Sequence, residues 1–147
     1  MSDIALAPLT PDDAAWLDGW LPAVAARVGY DAGRLRAKGI DARIITHEGE
    51  RAGVVAFRTD RRRGRAIIEV VATPPAHARH GIGMRAAAAL ERELRDGGVR
   101  AVFAPASDRH GIAVYFWIRL GYRPLFRDGW PCERPGVIWL RRDLPGR

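Results

Sequence analysis

The spacing of apolar positions changes several times along this chain, and each change marks an element. Ile4-Ala5-Leu6-Ala7-Pro8-Leu9 predicts a first strand, and Pro8 either places it at a sheet edge or ends it, because proline has no N–H to give to a ladder. Thr10-Pro11-Asp12-Asp13 has the composition of a helix start: a threonine oxygen to cap free amides, a proline suited to the first turn, and acids that complement its positive end. Ala14, Leu17, Leu21, Val24, Ala25 and Val28 then recur on one side of a helix that Pro22 kinks or divides. A further short helix is expected from Asp31 to Lys38.

Two strands follow, Ala42 to His47 and Ala52 to Arg58, connected by Glu48-Gly49-Glu50-Arg51. The run Ala66-Ile67-Ile68-Glu69-Val70-Val71-Ala72-Thr73 predicts a central strand, being rich in branched side chains and almost wholly apolar, and Pro74-Pro75 forces it to stop or diverge. From Gly83 to Asp96 the period becomes helical, with Gly83, Ala86, Ala87, Leu90 and Leu94 on one face and Arg85, Arg92, Arg95 and Asp96 on the other. Val99 to Ala104 predicts a strand, Gly111 to Leu120 a helix closed by Gly121, and Tyr122 to Phe126 and Val137 to Leu140 the last strands. With no internal repeat or break in composition, the order predicts one α/β domain over residues 1–147, built on a mixed sheet.

Composition narrows the function classes. The 147 residues, 48% of them hydrophobic and 28% charged, suit a single globular domain with a real core. No run approaches the roughly 18 apolar residues of a membrane span, and Met1-Ser2-Asp3 lacks the basic start of a secretory signal, so a cytoplasmic protein without membrane attachment is expected. Cys132 is the single cysteine, which excludes an internal disulfide and a multi-cysteine zinc site. His47, His77, His80 and His110 form no convincing metal set.

The net charge of +7, from 24 basic and 17 acidic side chains, suits nucleic acid, an acidic surface or a polyanionic cofactor equally. Its densest cluster, Arg61-Arg62-Arg63 with Arg65, lies between two predicted strands and reads first as a solvated hairpin connection. With no zinc-finger spacing, no basic repeat and no aromatics interleaved with that cluster, nucleic acid is not the expected partner.

The segment Pro75-Ala-His-Ala-Arg-His-Gly-Ile-Gly-Met84 joins the apolar strand to a regular helix. Free amides of a first helical turn converge on one locus, and Gly81 and Gly83 carry no side chain to keep an anion from them. Arg79 and His80 offer charge-assisted contacts. The lysine and hydroxyl residue of a nucleotide triphosphate loop are absent, as are the third glycine and downstream acid of a dinucleotide fingerprint. Taken alone, such a turn serves close helix packing as readily as phosphate binding.

Over nearly its whole length the chain resembles the GCN5-related N-acetyltransferase (GNAT) superfamily. The resemblance is carried by the strand Ile67 to Thr73, the turn Pro75 to Gly83, the helix to Asp96 and the late segment Ala113-Val114-Tyr115-Phe116-Trp117-Ile118-Arg119-Leu120-Gly121-Tyr122. The family signature is glutamine or arginine, two residues, glycine, one residue, then glycine or alanine. The glycines fall on Gly81 and Gly83, whereas the first position is Ala78 and Arg79 comes one place late.

The resemblance implies a GNAT-like α/β fold, a mixed central sheet with splayed central strands and helices on both faces. It implies acetyl-CoA as acyl donor. Val71, Ala72 and Thr73 would bond the pantetheine arm, amides of Arg79, His80, Gly81, Ile82, Gly83 and Met84 the pyrophosphate, and Ser107, His110 and Trp117 would line the other side. A homodimer is also among its expectations.

Acetyl transfer by direct attack needs a neutral amine, a proton acceptor and donors for the developing oxyanion. Glu69, which interrupts an apolar strand at a position often acidic in the family, is the candidate base, or else the structural partner of an arginine. The amide near Val71 is the candidate oxyanion contact. Where relatives carry a tyrosine that protonates the leaving thiolate, this chain has Trp117, with Tyr122 or water as substitutes. Trp16, Trp20, Tyr30 and Trp130 either shape an acceptor pocket or simply pack. The expected function is acetylation of a primary amine of a small molecule or peptide. A non-catalytic acyl-CoA sensor is the alternative.

Overall fold

Alternation along the strands sends neighbouring residues to opposite faces of one sheet. Ile44 and Val54 enter one apolar cluster, while Ile45 and Val55 beside them enter another. The computed structural model describes residues 4–77 and 81–146. Its strands are β1 (Ile4–Pro8), β2 (Asp41–His47), β3 (Glu50–Asp60), β4 (Arg65–Ala72), β5 (Ala101–Ser107), β6 (Arg123–Pro124) and β7 (Val137–Asp143). They form a seven-stranded sheet in the order β1-β2-β3-β4-β5-β7-β6, antiparallel throughout except where β4 meets β5. The mixed sheet is as expected, and Pro8 does lie on its edge strand.

Helices cover both faces. α1 (Asp13–Asp18) and α2 (Leu21–Arg27) bury Leu17, Leu21 and Ala25 against Ile44, Val54, Ala56, Val70 and Ala72. On the opposite face α3 (Ile82–Asp96) buries Ile82, Ala86, Leu90 and Leu94 against Ile45, Val55, Phe57, Ile68 and Val102, with Trp117 from α4 (Gly111–Arg119) in the same cluster. Burying each of the larger aliphatic side chains contributes roughly 2 kcal/mol of transfer free energy.

The long first helix is divided, but ahead of Pro22: the break falls at Gly19 and Trp20, and Pro22 takes its place in the first turn of α2. The expected threonine cap is reversed. Thr10 donates its N–H and its hydroxyl to Asp13 Oδ2, at 2.8 and 3.0 Å, and that backbone donor is the first cause of Asp13 titrating below its ordinary value. The segment after Asp31 is a 3-10 turn, Ala32–Arg36, started by the Asp31 carboxylate accepting from the Gly33 N–H. Residues 61–63 lie exposed in the β3–β4 turn. The strand expected from Tyr122 to Phe126 shrinks to the two residues of β6, because the Tyr122 N–H bonds the Trp117 carbonyl at the end of α4 and Phe126 leads into a 3-10 turn, Arg127–Gly129.

Candidate functional site

Two parallel strands that stay paired along their length leave no gap between them, but β4 and β5 separate early. Arg65, Ala66 and Ile67 pair with Ala101, Val102 and Phe103, and the ladder stops there. Beyond it, β4 keeps pairing with β3 as far as Ala72, and β5 with β7 as far as Ser107. The C-terminal halves therefore diverge and leave facing backbone edges without each other as partners.

The divergence coincides with a β-bulge. Phe57 pairs with Ile68 and Ala56 with Val70, so Glu69 is the extra residue of β4. A bulge bends its strand and switches the faces to which the subsequent residues point. Ala66 and Ile68 face α3, whereas Val70 and Ala72 pack with α1 and α2.

At the start of α3, Gly81 adopts φ 69°, a left-handed conformation that glycine holds without penalty, and has no side chain to cap the helix. The first intrahelical bond runs from the Arg85 N–H to the Gly81 carbonyl, so the N–H groups of Ile82, Gly83 and Met84 precede the ladder. Ile82 has its side chain in the core. A Cβ on Gly83 would lie 3.5 Å from both Val71 Cγ1 and Phe116 Cε1, so this glycine joins α3, β4 and α4 at one place. Arg79 and His80, expected beside it, lie outside the described residues.

Across the opening, Ser107 ends β5 and His110 precedes α4. Ser107 Oγ lies 2.7 Å from His110 Nδ1 and accepts from the Arg109 N–H at 3.2 Å. Gly29, with φ 73° at the end of α2, closes over this pair. An added Cβ there would meet Ser107 Cβ at 2.7 Å and His110 Nδ1 at 3.1 Å.

On the α1 and α2 side of the sheet, the Glu69 carboxylate is wholly buried and held by two arginines. Arg34 donates through Nε and Nη2 to Oε1, at 3.2 and 2.8 Å, and Arg134 through Nη2 to Oε2 at 3.1 Å. The side chains of Arg34, Arg134 and Glu69 are 36%, 16% and 0% exposed. Arg134 also lies over the Trp139 ring, 5.1 Å from its centroid. The Tyr30 hydroxyl is buried among these charges without a hydrogen-bond partner among the described residues, and burial, with the Glu69 charge second, pushes its pKa up to about 12.

Two expected contributors are buried in the core. Trp117 is 4% exposed and packs edge-on against Phe116 and Tyr122. Tyr122 donates its hydroxyl to Glu91 at 2.6 Å, and Arg142 binds the other Glu91 oxygen. Burial raises the Glu91 carboxyl above its usual range, against the pull of Tyr122 and Arg142. Sequence reasoning missed Gly29, Arg34 and Arg134. The only signal for the arginines was the general expectation that a strand glutamate finds a cationic partner.

The comparisons with known proteins agree with this geometry. The acetyltransferase (GNAT) family profile matches residues 9–122. Among solved structures, an acetyltransferase from Thermus thermophilus is 23% identical, with TM-score 0.71 and 98% of this chain and 100% of that chain covered. A Bacillus subtilis acetyltransferase in complex with CoA is 14% identical, with TM-score 0.72 and coverage of 99% and 100%. The PaiA N-acetyltransferase of Thermoplasma acidophilum, in complex with coenzyme A, is 12% identical, with TM-score 0.72 and coverage of 98% and 100%. No curated protein matches the sequence. At these identities the structures show the shared fold, and the profile, spanning most of the chain, shows the kinship: this protein belongs to the acetyltransferase (GNAT) family, whose chemistry is acetyl-CoA-dependent acyl transfer.

Proposed function

We propose that this protein transfers the acetyl group of acetyl-CoA to a primary amine of a small molecule or peptide by direct attack. The single observation that carries the proposal is the start of α3 at Gly81, which brings no capping side chain, set beside strands that part after Ile67 and Phe103. Unpaired amides at a helix N-terminus attract a pyrophosphate, and diverging strands offer backbone groups to an extended amide-bearing arm.

The residues fit such a donor on both sides of the opening. Ile82, Gly83 and Met84 supply amides beside Gly81, Val71 and Ala72 end β4 with Thr73 just beyond it, and Ser107 with His110 stands on the β5 side. In the reaction the amine nitrogen bonds to the thioester carbonyl carbon, the carbon–sulfur bond breaks, and the amine gives up a proton. The amide near Val71 receives the oxyanion. Glu69 takes the proton through cleft water. A carboxylate has about four acceptor positions, and the three guanidinium bonds leave one of them on Oε2.

One observation favours the sensor alternative: Trp117 replaces an oxygen acid and sits in the core, and the Tyr122 hydroxyl is engaged by Glu91. Thermal stabilisation by coenzyme A, followed by thiol release from acetyl-CoA across a broad amine panel, separates the two. Turnover with any amine supports the enzyme. Tight binding with no turnover across the panel supports the sensor, and no binding removes both.

A further inference from the structure

The charged cluster around Glu69 holds more donors than acceptors. Arg34 spends Nε and Nη2 on Glu69 and Arg134 spends only Nη2, so Arg34 Nη1 and Arg134 Nε and Nη1 make no hydrogen bond among the described residues. The Tyr30 hydroxyl is buried with no acceptor among the described residues, and so is the Trp139 indole N–H, in the ring on which Arg134 rests. Indole and guanidinium are donors only. The one buried carboxylate leaves two guanidiniums in excess by a unit of positive charge. Asp31 is close enough to influence Arg34, but it is exposed, where solvent weakens its field, and its carboxylate accepts from the Gly33 N–H.

Unpartnered buried donors and an excess cation are satisfied together by a ligand that brings oxygen acceptors and negative charge. A planar carboxylate matches the arginine fork best. The cluster also lies on the α1 and α2 face of the sheet, while the joint of Gly83, Val71 and Phe116 lies toward α3 and α4. An acceptor held there meets the opening from the side opposite that joint.

We propose that Arg34, Arg134 and Tyr30 form a carboxylate-binding subsite, so that the acceptor is an amine that also carries a carboxylate, such as a free amino acid. The proposal presupposes acetyl transfer at this cleft and names its substrate class. Glu69 sets the spacing of the two guanidiniums, and the same positive excess disfavours polyamines and other purely cationic acceptors.

The test measures kcat/KM for thiol release from acetyl-CoA with three sets of amines: free amino acids, the matching carboxamides, and amines bearing a phosphate. Wild type should prefer free acids over carboxamides by roughly 10- to 100-fold, the span of a hydrogen bond to a charged group. Arg34→Gln, which also loosens Glu69, should lower the rate with free acids more than the rate with carboxamides, so that the ratio between the two falls toward one. Tyr30→Phe, which removes a hydroxyl that has no partner among the described residues, is the variant least exposed to folding failure and should reduce the same preference. Coenzyme A stabilisation of each variant reports that fold and donor binding survive.

Equal rates for acids and carboxamides in wild type overturn the proposal. So do a preference for the phosphate-bearing amines, parallel losses for acids and carboxamides in both variants, or a protein that binds coenzyme A and acetylates no free acid. If coenzyme A does not bind at all, acetyl transfer itself fails, and the subsite falls with it.

Discussion

Gly29 stands so close to Ser107 that a Cβ added to it would lie 2.7 Å from Ser107 Cβ and 2.9 Å from Oγ. The α2 loop thereby rests on the Ser107 and His110 pair at the end of β5 and carries Tyr30 to the Glu69 cluster. Gly29→Ala would combine a left-handed backbone with an overlap that Ser107 Cβ, being next to the main chain, cannot escape. We expect a cost of about 2 to 4 kcal/mol. Calorimetry should then show Tm lower by roughly 5 to 15 °C.

Gly83→Ala should separate stability from binding. Its new methyl would meet Val71 and Phe116 at ordinary contact distance, and alanine favours a helix over glycine by up to about 1 kcal/mol. Thermal unfolding should be unchanged or slightly raised. Coenzyme A affinity, measured by titration calorimetry, should fall about tenfold if the donor passes between α3 and β4, since even one extra carbon in a filled space costs about 1 kcal/mol or more.

Glu69→Gln would leave two guanidiniums facing a neutral amide. Losing one partner of a fully buried pair costs about 3 to 5 kcal/mol, and the partial exposure of Arg34 reduces that here to about 2 to 4. The acetylation rate should fall more than acetyl-CoA affinity. A rate that stays unchanged over the whole pH range would remove Glu69 from proton transfer.

Tyr122→Phe removes a buried hydrogen bond to Glu91 and should cost about 1 to 3 kcal/mol at neutral pH. The sign of its pH dependence follows from Glu91, whose carboxyl is raised in the fold above its usual 4.5, first by burial. Such a group supports the fold fully below its unfolded value, and the support is lost as pH rises through the folded value. The tyrosine favours the charged form, so without it Glu91 moves further up. The stability deficit of the variant should therefore grow as pH rises from about 4.5 toward neutrality, as denaturant titrations at several pH values would show.

The architecture was readable wherever the burial period was regular. Ile44 and Ile45, or Val54 and Val55, sort to opposite clusters as a period of two demands, and Ala86, Leu90 and Leu94 meet the sheet as a period of 3.6 demands. The glycine turn was readable because a strand ends just ahead of Pro74-Pro75, at Ala72, and a helix follows Gly81. Glu69 drew notice as the one charge in an apolar strand. Its partners did not, because Arg34 and Arg134 lie 35 and 65 positions away and nothing local distinguishes them from the other arginines. Trp117 shows the same limit in a helix: its position in the sequence matched the family's tyrosine, yet only packing places its ring against Phe116 and Tyr122.

By itself the sequence determined the order of elements, the two faces of the sheet and the bare helix start, because each depends on neighbours within a few residues. Tertiary structure alone decided that β4 carries an extra residue at Glu69, that β4 and β5 part after three pairs, and that two distant arginines close on one carboxylate. Those features arise when remote segments compete for the same buried space. A buried charge is stable only where chain folding brings its counter-charges, and no short window of sequence records which ones arrive.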